Sequence, residues 1–453
     1  MEQTLPTRAH RGDELTLTID TLAHGGAGVA RRDGYVVFVQ GGIPGDTVRA
    51  VVGKAKRAYA EARAVEIITP SPDRIEPLAD HPGAPWQVIP YAKQLEIKQE
   101  QVDDSLRRIG KLDGYTLEPI IPAVQEWRYR NKLEYSFGTD DSGQLICGFH
   151  TPGHWEDIVE VTDCMLASEA GNKAREEVVA WCRAQGLGAY DRRTSEGFLR
   201  NLVVREGRRT GEIQVRLVTS PGKLDSDSLI QATPSANGLL WTRLESLGET
   251  TMGGQTALLS GAEQLEEELG GLRVSISAEA FFQTNTEMAE QLYALAIEYA
   301  ELKGYERLFD LYCGIGTIGL LMAPRAAELW GLEIVEDAIA DAIKNARANE
   351  IDNTNFFAGD VRLVLRELVE KAGRPDVLVV DPPRAGLSQK VVRRVIEAAP
   401  KRIVYVSCNP TTLAPNAAQL VEAGYELTKV RPVDMFPQTP HVECVAQLER
   451  RSG

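Results

Sequence analysis

Residues 307–317 read Arg-Leu-Phe-Asp-Leu-Tyr-Cys-Gly-Ile-Gly-Thr, a short apolar run that ends in a glycine-rich turn. Arg307–Leu311 predicts a buried strand, and Gly314 and Gly316 let the backbone turn sharply and approach a ligand closely. Downstream, strands and helices alternate. Strands are expected at Arg307–Leu311, Glu328–Glu333, Asn355–Gly359, Val377–Asp381 and Ile403–Ser407. Helices are expected between and after them at Ile318–Arg325, Ala338–Asn349, Arg362–Lys371, Gln389–Ala398 and Thr411–Ala423. Parallel strands joined by helices make a doubly wound α/β sheet. Tyr425–Val430 and Val442–Leu448 predict an antiparallel hairpin at one edge. This unit is expected to span residues 271–453.

Two other units precede it. In residues 1–68, Glu14–Ile19 alternates and Tyr35–Val39 is a short apolar run expected to be buried. Val48–Val52 and Ala60–Ile68 follow, with turn signals at Gly25-Gly26, Arg32-Asp33-Gly34 and Pro44-Gly45-Asp46. Four or five short strands in so few residues predict an OB-type β-barrel. Residues 69–270 predict a central α+β unit. Pro-rich residues 69–90 are irregular, and Tyr91–Ile109 is a helix expected to pack on the C-terminal unit. Leu133–Phe137, Leu199–Arg205 and Glu212–Val218 are expected strands, and Lys173–Gln185 a helix.

No apolar run approaches the roughly 20 residues that span a bilayer, and the polar start has no secretory h-region. Six cysteines in 453 residues read as reduced thiols, so a cytoplasmic protein without membrane attachment is expected. The net charge of −15 and pI near 5.1 count against a nucleic-acid partner unless basic residues cluster locally. Three clusters qualify by position: Lys54, Lys56 and Arg57; Arg128, Arg130 and Lys132; and Arg192, Arg193, Arg200, Arg205, Arg208 and Arg209.

The chemistry-bearing residues sit at strand ends, where α/β sheets bind ligands. Gly314, Gly316 and Gly319 open a helix. Glu333 ends the next strand, where a carboxylate can take the two hydroxyls of a ribose. The loop alone equally fits a nicotinamide site or a plain turn. Asp381-Pro382-Pro383 follows the fourth strand as a stiff turn. Cys408-Asn409-Pro410 follows the fifth, and a helix start is expected to lower the thiol pKa. His441-Val442-Glu443 opens the last strand and offers an acid/base carboxylate.

Together these residues resemble the RNA (uracil-5-)-methyltransferase family, which modifies ribosomal and transfer RNA. Residues 12–67 resemble its RNA-binding TRAM barrel. Trp127–Lys132 is similar to the Tyr-Arg-Asn segment of its central domain, and Phe281-Phe282-Gln283-Thr284-Asn285 to the segment opening its catalytic domain. The Asp310, Asp381 and Cys408 motifs follow in family order. The resemblance implies a class I Rossmann-like, S-adenosylmethionine-dependent fold. It implies Cys408 as nucleophile and Glu443 as base. Gln283, Tyr312, Gly314, Thr317, Glu333, Asp360 and Asp381 would hold the cofactor. Phe281, Arg130 and Lys132 would hold the RNA. Cys313 would be structural.

The implied chemistry explains the residue types. Carbon 5 of uracil is a poor nucleophile until a thiolate adds to carbon 6, and a base must later remove the proton on carbon 5. The barrel points to ribosomal RNA, with transfer RNA as the alternative substrate. A non-catalytic assembly factor on the same fold is the rival from another class, and a nicotinamide-dependent oxidoreductase a second. A monomer is expected. Many members also hold an iron–sulfur cluster on four cysteines. Here Asp80–Gln87 has none and Cys164 stands alone, so no cluster and no other metal is expected.

Overall fold

The structure, a computed structural model, describes residues 8–451; the remaining ends of the expected first and last units lie outside the described residues. Residues 14–69 form a six-stranded sheet in the order Glu14–Thr18, Thr47–Ala55, Tyr59–Thr69, Tyr35–Gln40, Gly28–Arg32, Thr21–Leu22. Leu15, Leu17, Val37, Val39, Val48 and Val52 fill its interior. Thr21–Leu22 is too short for any periodicity to show, which is why six strands appear where four or five were expected. The run Tyr35–Val39 is not buried throughout: it alternates, and Val36 and Phe38 face outward.

The central unit is built on a seven-stranded sheet in the order His154–Glu160, Leu145–Thr151, Lys132–Thr139, Leu199–Glu206, Ile213–Thr219, Gly238–Arg243, Gln255–Gly261. Helix Glu169–Ala184, capped by Ser168, packs against it through Ala174, Val178 and Trp181. The sequence reading passed over four of these strands. His154–Glu160 is an edge strand with little burial, so it carries no alternating apolar signal.

The C-terminal sheet has eight strands, ordered Thr354–Ala358, Glu328–Glu333, Arg307–Leu311, Val377–Val380, Arg402–Ser407, Glu443–Arg450, Tyr425–Val433, Thr116–Leu117. The first five are parallel, and Glu443–Arg450 runs antiparallel beside Arg402–Ser407. The strand order reverses between Arg307–Leu311 and Val377–Val380, which opens a crevice at their carboxyl ends. Residues 116–117 come from the expected central unit yet pair with Lys429 and Val430. The preceding helix, Tyr91–Asp104, ends in a π-turn, Ser105–Ile109. Its Val102 and Leu106 are buried with Leu413 and Ala417 of the C-terminal unit.

Most of the expected basic clusters are not basic surfaces. Arg200 and Arg205 are 1% and 3% exposed. Arg192 pairs with Glu249, Arg193 with Glu156 and Asp157, Arg208 with Glu206 and Glu287, and Arg209 with Glu290. Arg128 pairs with Asp163, Lys132 with Glu134 and Lys54 with Glu61. Neighbours in sequence alternate faces on a strand, and the folded chain brings an acid to most of them and backbone carbonyls to Arg200 and Arg205. Lys56 and Arg57 carry no ion pair among the described residues and are exposed.

Candidate active site

A cavity of about 700 Å³ lies in the crevice. Its floor is the glycine turn. Tyr312 there has φ +64°, uncommon for a residue with a side chain and a mark of a turn held by its surroundings; its N–H donates to the Leu332 carbonyl at 2.8 Å. Gly316, at φ +87°, caps helix Thr317–Met322, and a Cβ there would stand 3.2 Å from Ala342 and Leu320. Glu333 ends its strand on one side. Its carboxylate accepts from the N–H groups of Ile334 at 2.7 Å, Val335 at 3.0 Å and Gly314 at 3.3 Å, so it is fixed in place.

The other end of the cavity is set by strand register. Ser407 pairs with Cys444 across two antiparallel strands, so the residues just beyond, Cys408 and Glu443, leave the sheet side by side and both line the cavity. Asn409 caps the helix that follows, accepting from Thr411 N–H at 3.0 Å, with Pro410 in the first turn. Asp381 and Arg384 enter from the proline turn. Gln283 enters from the segment before helix Thr286–Ala300. Asn131 of the central unit holds that segment, donating to the Gln283 carbonyl and to Thr286 Oγ1, each at 2.8 Å. Arg130, the neighbour of Asn131, thereby reaches the same cavity, its guanidinium 5.5 Å from the Phe436 ring centre.

Burial dominates the electrostatics. It raises Asp310 to about 8, although Asp310 Oδ2 accepts from the Gly319 N–H at 3.0 Å. It raises Asp381 to about 7 and Glu443 to about 8, the latter reinforced by Asp381 and opposed by Arg384. Cys408 is pushed up to about 12 by burial and then by the charges of Glu443 and Asp381. The expected helix-start depression of the thiol is therefore overturned in the free protein.

The cavity gathers Cys408, Glu443, Gln283, Tyr312, Gly314, Thr317, Glu333, Asp381, Phe281 and Arg130. Two expected site residues lie elsewhere. Asp360 caps helix Val361–Ala372 and pairs with Arg362, so its carboxylate is taken up beside the cavity rather than lining it. Lys132, the first residue of strand Lys132–Thr139, pairs with Glu134 in the central sheet and does not line the cavity. Tyr293, Arg384, Phe436 and His441 also line the cavity. His441 stood without a role within a motif read from the sequence, and Arg384 directly follows the Asp381-Pro382-Pro383 turn. Phe436 had no sequence signal, since it comes from a coil between two strands. Cys313 is buried at the turn and also lines the cavity, its thiol held well above the usual range by burial.

The residues around Cys164 do not fit an iron–sulfur cluster. Its Sγ lies 3.1 Å from His81 Nε2, and no group of three or more metal-ligating side chains forms among the described residues. His81 fills that place. Trp86 packs with Leu22, Ile43 and Ile97 between the barrel and the helix at Tyr91.

Known proteins share this architecture. Residues 264–451 match the family model for tRNA (uracil-5-)-methyltransferase, and residues 8–65 match the TRAM domain. The chain is 38% identical over 452 residues to an uncharacterised RNA methyltransferase of Halalkalibacterium halodurans, covering 98% of each. It is 38% identical over 459 residues to another from Bacteroides thetaiotaomicron, covering 95% of this chain and all of that one. The crystal structure of the Pyrococcus abyssi tRNA (uracil-54, C5)-methyltransferase with S-adenosyl-L-homocysteine superposes with a TM-score of 0.77. It is 29% identical over 96% of this chain and all of its own.

The fold and crevice define a class I S-adenosylmethionine-dependent methyltransferase with an N-terminal TRAM barrel. Within that class, the chain belongs to the RNA (uracil-5-)-methyltransferase family. No helix among the described residues is long and apolar enough to cross a membrane.

Proposed function

We propose that this enzyme forms 5-methyluridine in ribosomal RNA through a covalent bond between Cys408 and carbon 6 of the target uracil. The observation that carries the reading is the pairing of Ser407 with Cys444, which delivers Cys408 and Glu443 together into the cavity that also holds Glu333, Gln283 and Asp381. S-adenosylmethionine, when bound, supplies an electrophilic methyl group. Glu333, with its carboxylate braced by three N–H groups, suits the ribose hydroxyls, and Gln283, Tyr312, Gly314, Thr317 and Asp381 surround the rest. Asp360 supports the wall from behind through its helix cap.

Cys408, which is partly exposed, releases its proton to solvent, and its sulfur adds as thiolate to carbon 6. Electron density then moves to carbon 5, which takes the methyl group. Glu443, in its ionised form, accepts the proton from carbon 5. The carbon–sulfur bond breaks, the 5,6 double bond returns and Cys408 leaves as thiolate. Phe281, 71% exposed at the cavity rim, offers a face on which an unstacked base can rest, and Arg130 flanks it. A flipped base is needed because neither group reaches into a stacked helix, which favours a loop uridine. The site is complete within one chain, in keeping with a monomer, and the six free thiols suit a reducing cytoplasm.

Transfer RNA is the second reading, favoured by the Pyrococcus abyssi enzyme, whose named target is tRNA uracil 54. Mapping 5-methyluridine across ribosomal and transfer RNA from cells with and without the gene decides between them. Loss of one ribosomal site is the expected result. Loss of a transfer-RNA site establishes the second reading, and loss of no site leaves the assembly-factor role.

A further inference from the structure

Residues 277–285 carry Phe281 and Gln283 to the cavity, yet they are coil between strand Leu272–Ile276 and helix Thr286–Ala300. Coil has no ladder of its own, so its shape is set by the groups that hold it from outside. Here the holders come from the central sheet. Arg205, on strand Leu199–Glu206, donates from Nη2 to the Ala280 carbonyl at 2.5 Å and from Nη1 to the Ser277 carbonyl at 3.4 Å. Arg216, on the neighbouring strand Ile213–Thr219, donates from Nη1 to Glu279 Oε1 at 3.1 Å and to the Thr251 carbonyl at 2.9 Å. The Glu279 carboxylate also accepts from the Gly253 N–H at 3.0 Å. Register puts both arginines on one face of the sheet: Arg205 stands opposite Gln214, and Arg216 lies two residues further on. Past Phe281, Asn131 holds the Gln283 carbonyl, and its own N–H donates to the Thr284 carbonyl at 2.9 Å. Phe281 sits between these two grips, its ring exposed at the cavity rim.

Packing alone does not account for the two arginines. Arg205 is 3% exposed and Arg216 1%, and Arg205 Nε, Arg216 Nε and Arg216 Nη2 have no hydrogen-bond partner. Arg216 pairs with Glu279 and Lys132 with Glu134, whereas Arg205 pairs with no carboxylate among the described residues. An apolar side chain of similar volume is often the more stable occupant of such a place. It could not, however, hold two carbonyls at a fixed reach from the sheet, which a planar guanidinium with its fork of donors does.

We propose that Arg205 and Arg216 are positioning residues, which hold residues 277–280 against the central sheet and so set the Phe281 ring where a flipped uracil rests on it. The central unit thereby shapes the base-binding edge of a cavity whose cofactor end belongs to the C-terminal unit. Gln283 has its separate hold at Asn131, so cofactor binding is left out of this coupling. The inference rests on the proposed role of Phe281 against the uracil. That role is tested by Phe281→Ala alone, and the positioning by whether Arg205 acts through the ring.

The test measures initial rates of methyl transfer from labelled S-adenosylmethionine to total RNA from cells lacking the gene. The full chain is used as wild type, Phe281→Ala, Arg205→Met and the double variant. Arg205→Met leaves Lys132 and Arg216 facing Glu134 and Glu279, so no charge is stranded, and S-adenosylhomocysteine affinity on the same samples reports an intact cavity. Each single variant should raise the KM for RNA about tenfold, the scale of one base–aromatic stack, with kcat changed less and S-adenosylhomocysteine affinity unchanged. In the Phe281→Ala background, Arg205→Met should add at most about twofold, because no ring is left to place. Arg205→Lys, which keeps a donor for the Ala280 carbonyl, should recover part of the loss. Glu279→Gln, at a side chain 35% exposed, keeps an acceptor for Arg216 but removes the charge; it should show a smaller defect with the same dependence on Phe281. Single-variant defects that multiply to about a hundredfold in the double variant overturn the positioning and leave the role of Phe281 standing, as does a wild-type KM in Arg205→Met. A wild-type KM in Phe281→Ala removes the role of the ring and the proposal with it.

Discussion

Asp310, Asp381, Glu443 and Cys408 are four acids gathered in one crevice and driven toward their neutral forms by burial. The motifs named these residue types, but their charge states depend on distances no motif carries. Cys408 shows why. A helix start contributes at most about 2 kcal/mol toward the thiolate, while full burial moves a pKa by up to about 3–5 units the other way, and one unit is about 1.4 kcal/mol. Burial wins, and two neighbouring carboxyls add to it. Two outcomes follow at this scale. The base form of Glu443 is the ionised one with its pKa at about 8, and Cys408 reacts as thiolate with its pKa at about 12, so log kcat/KM should climb with a slope of about 2 as pH rises towards 8 and of about 1 beyond it. A flat profile from about pH 6 to 8 contradicts this. A cationic sulfonium entering the crevice favours the charged carboxylates, so binding S-adenosylmethionine near pH 7 should release protons. The uncharged S-adenosylhomocysteine sulfur should release fewer, as calorimetry in buffers of different ionisation enthalpy would record. Stability carries the matching sign. These folded pKa values lie above the unfolded ones, so the native state binds the extra protons and stability falls as pH rises from about 4 to 8. Asp310→Asn, judged by Tm, should gain on the wild type at alkaline pH.

Among elements, the β–α alternation from residue 307 onward was legible because parallel strands buried on both faces are written as apolar runs. The strap between strands Tyr425–Val433 and Glu443–Arg450 was not legible: it is coil, held by partners more than 300 residues away in sequence. Lys98 Nζ lies 2.5 Å from Asp434 Oδ1, both side chains fully buried, and also donates to the Phe436 carbonyl. Gln94 donates to Gln438 Oε1 at 2.7 Å and accepts from the Gln438 N–H at 2.9 Å. Tyr129 donates to the Pro437 carbonyl at 3.1 Å. Lys98→Met strands a buried carboxylate and should lower stability by about 3–5 kcal/mol in urea titration, while adding Asp434→Leu should restore much of it. If the double variant is no more stable than the single one, the pair is not what holds the strap.

At the scale of the whole molecule, charge is segregated. Residues 8–68 carry nine Lys and Arg against seven Asp and Glu, within a chain of net charge −15. The sequence showed clusters of arginine in the central unit, but folding commits them to glutamates and carbonyls, as at Arg192 and Arg200. RNA attraction is thus left to the barrel and the cavity mouth. Lys56→Glu with Arg57→Glu should weaken RNA binding and flatten its salt dependence, with S-adenosylhomocysteine affinity unchanged; equal salt slopes for variant and wild type refute the assignment. The parts serve one reaction, and its most direct test is the covalent bond itself. RNA in which 5-fluorouridine replaces uridine cannot lose a proton from carbon 5, so the Cys408 adduct should accumulate. Incubated with S-adenosylmethionine, the wild type should yield a protein–RNA species that survives denaturation, with its mass increment on the peptide containing Cys408, and Cys408→Ala should yield none. An adduct that persists in Cys408→Ala, or its absence from a wild type that methylates ordinary RNA, would contradict the account.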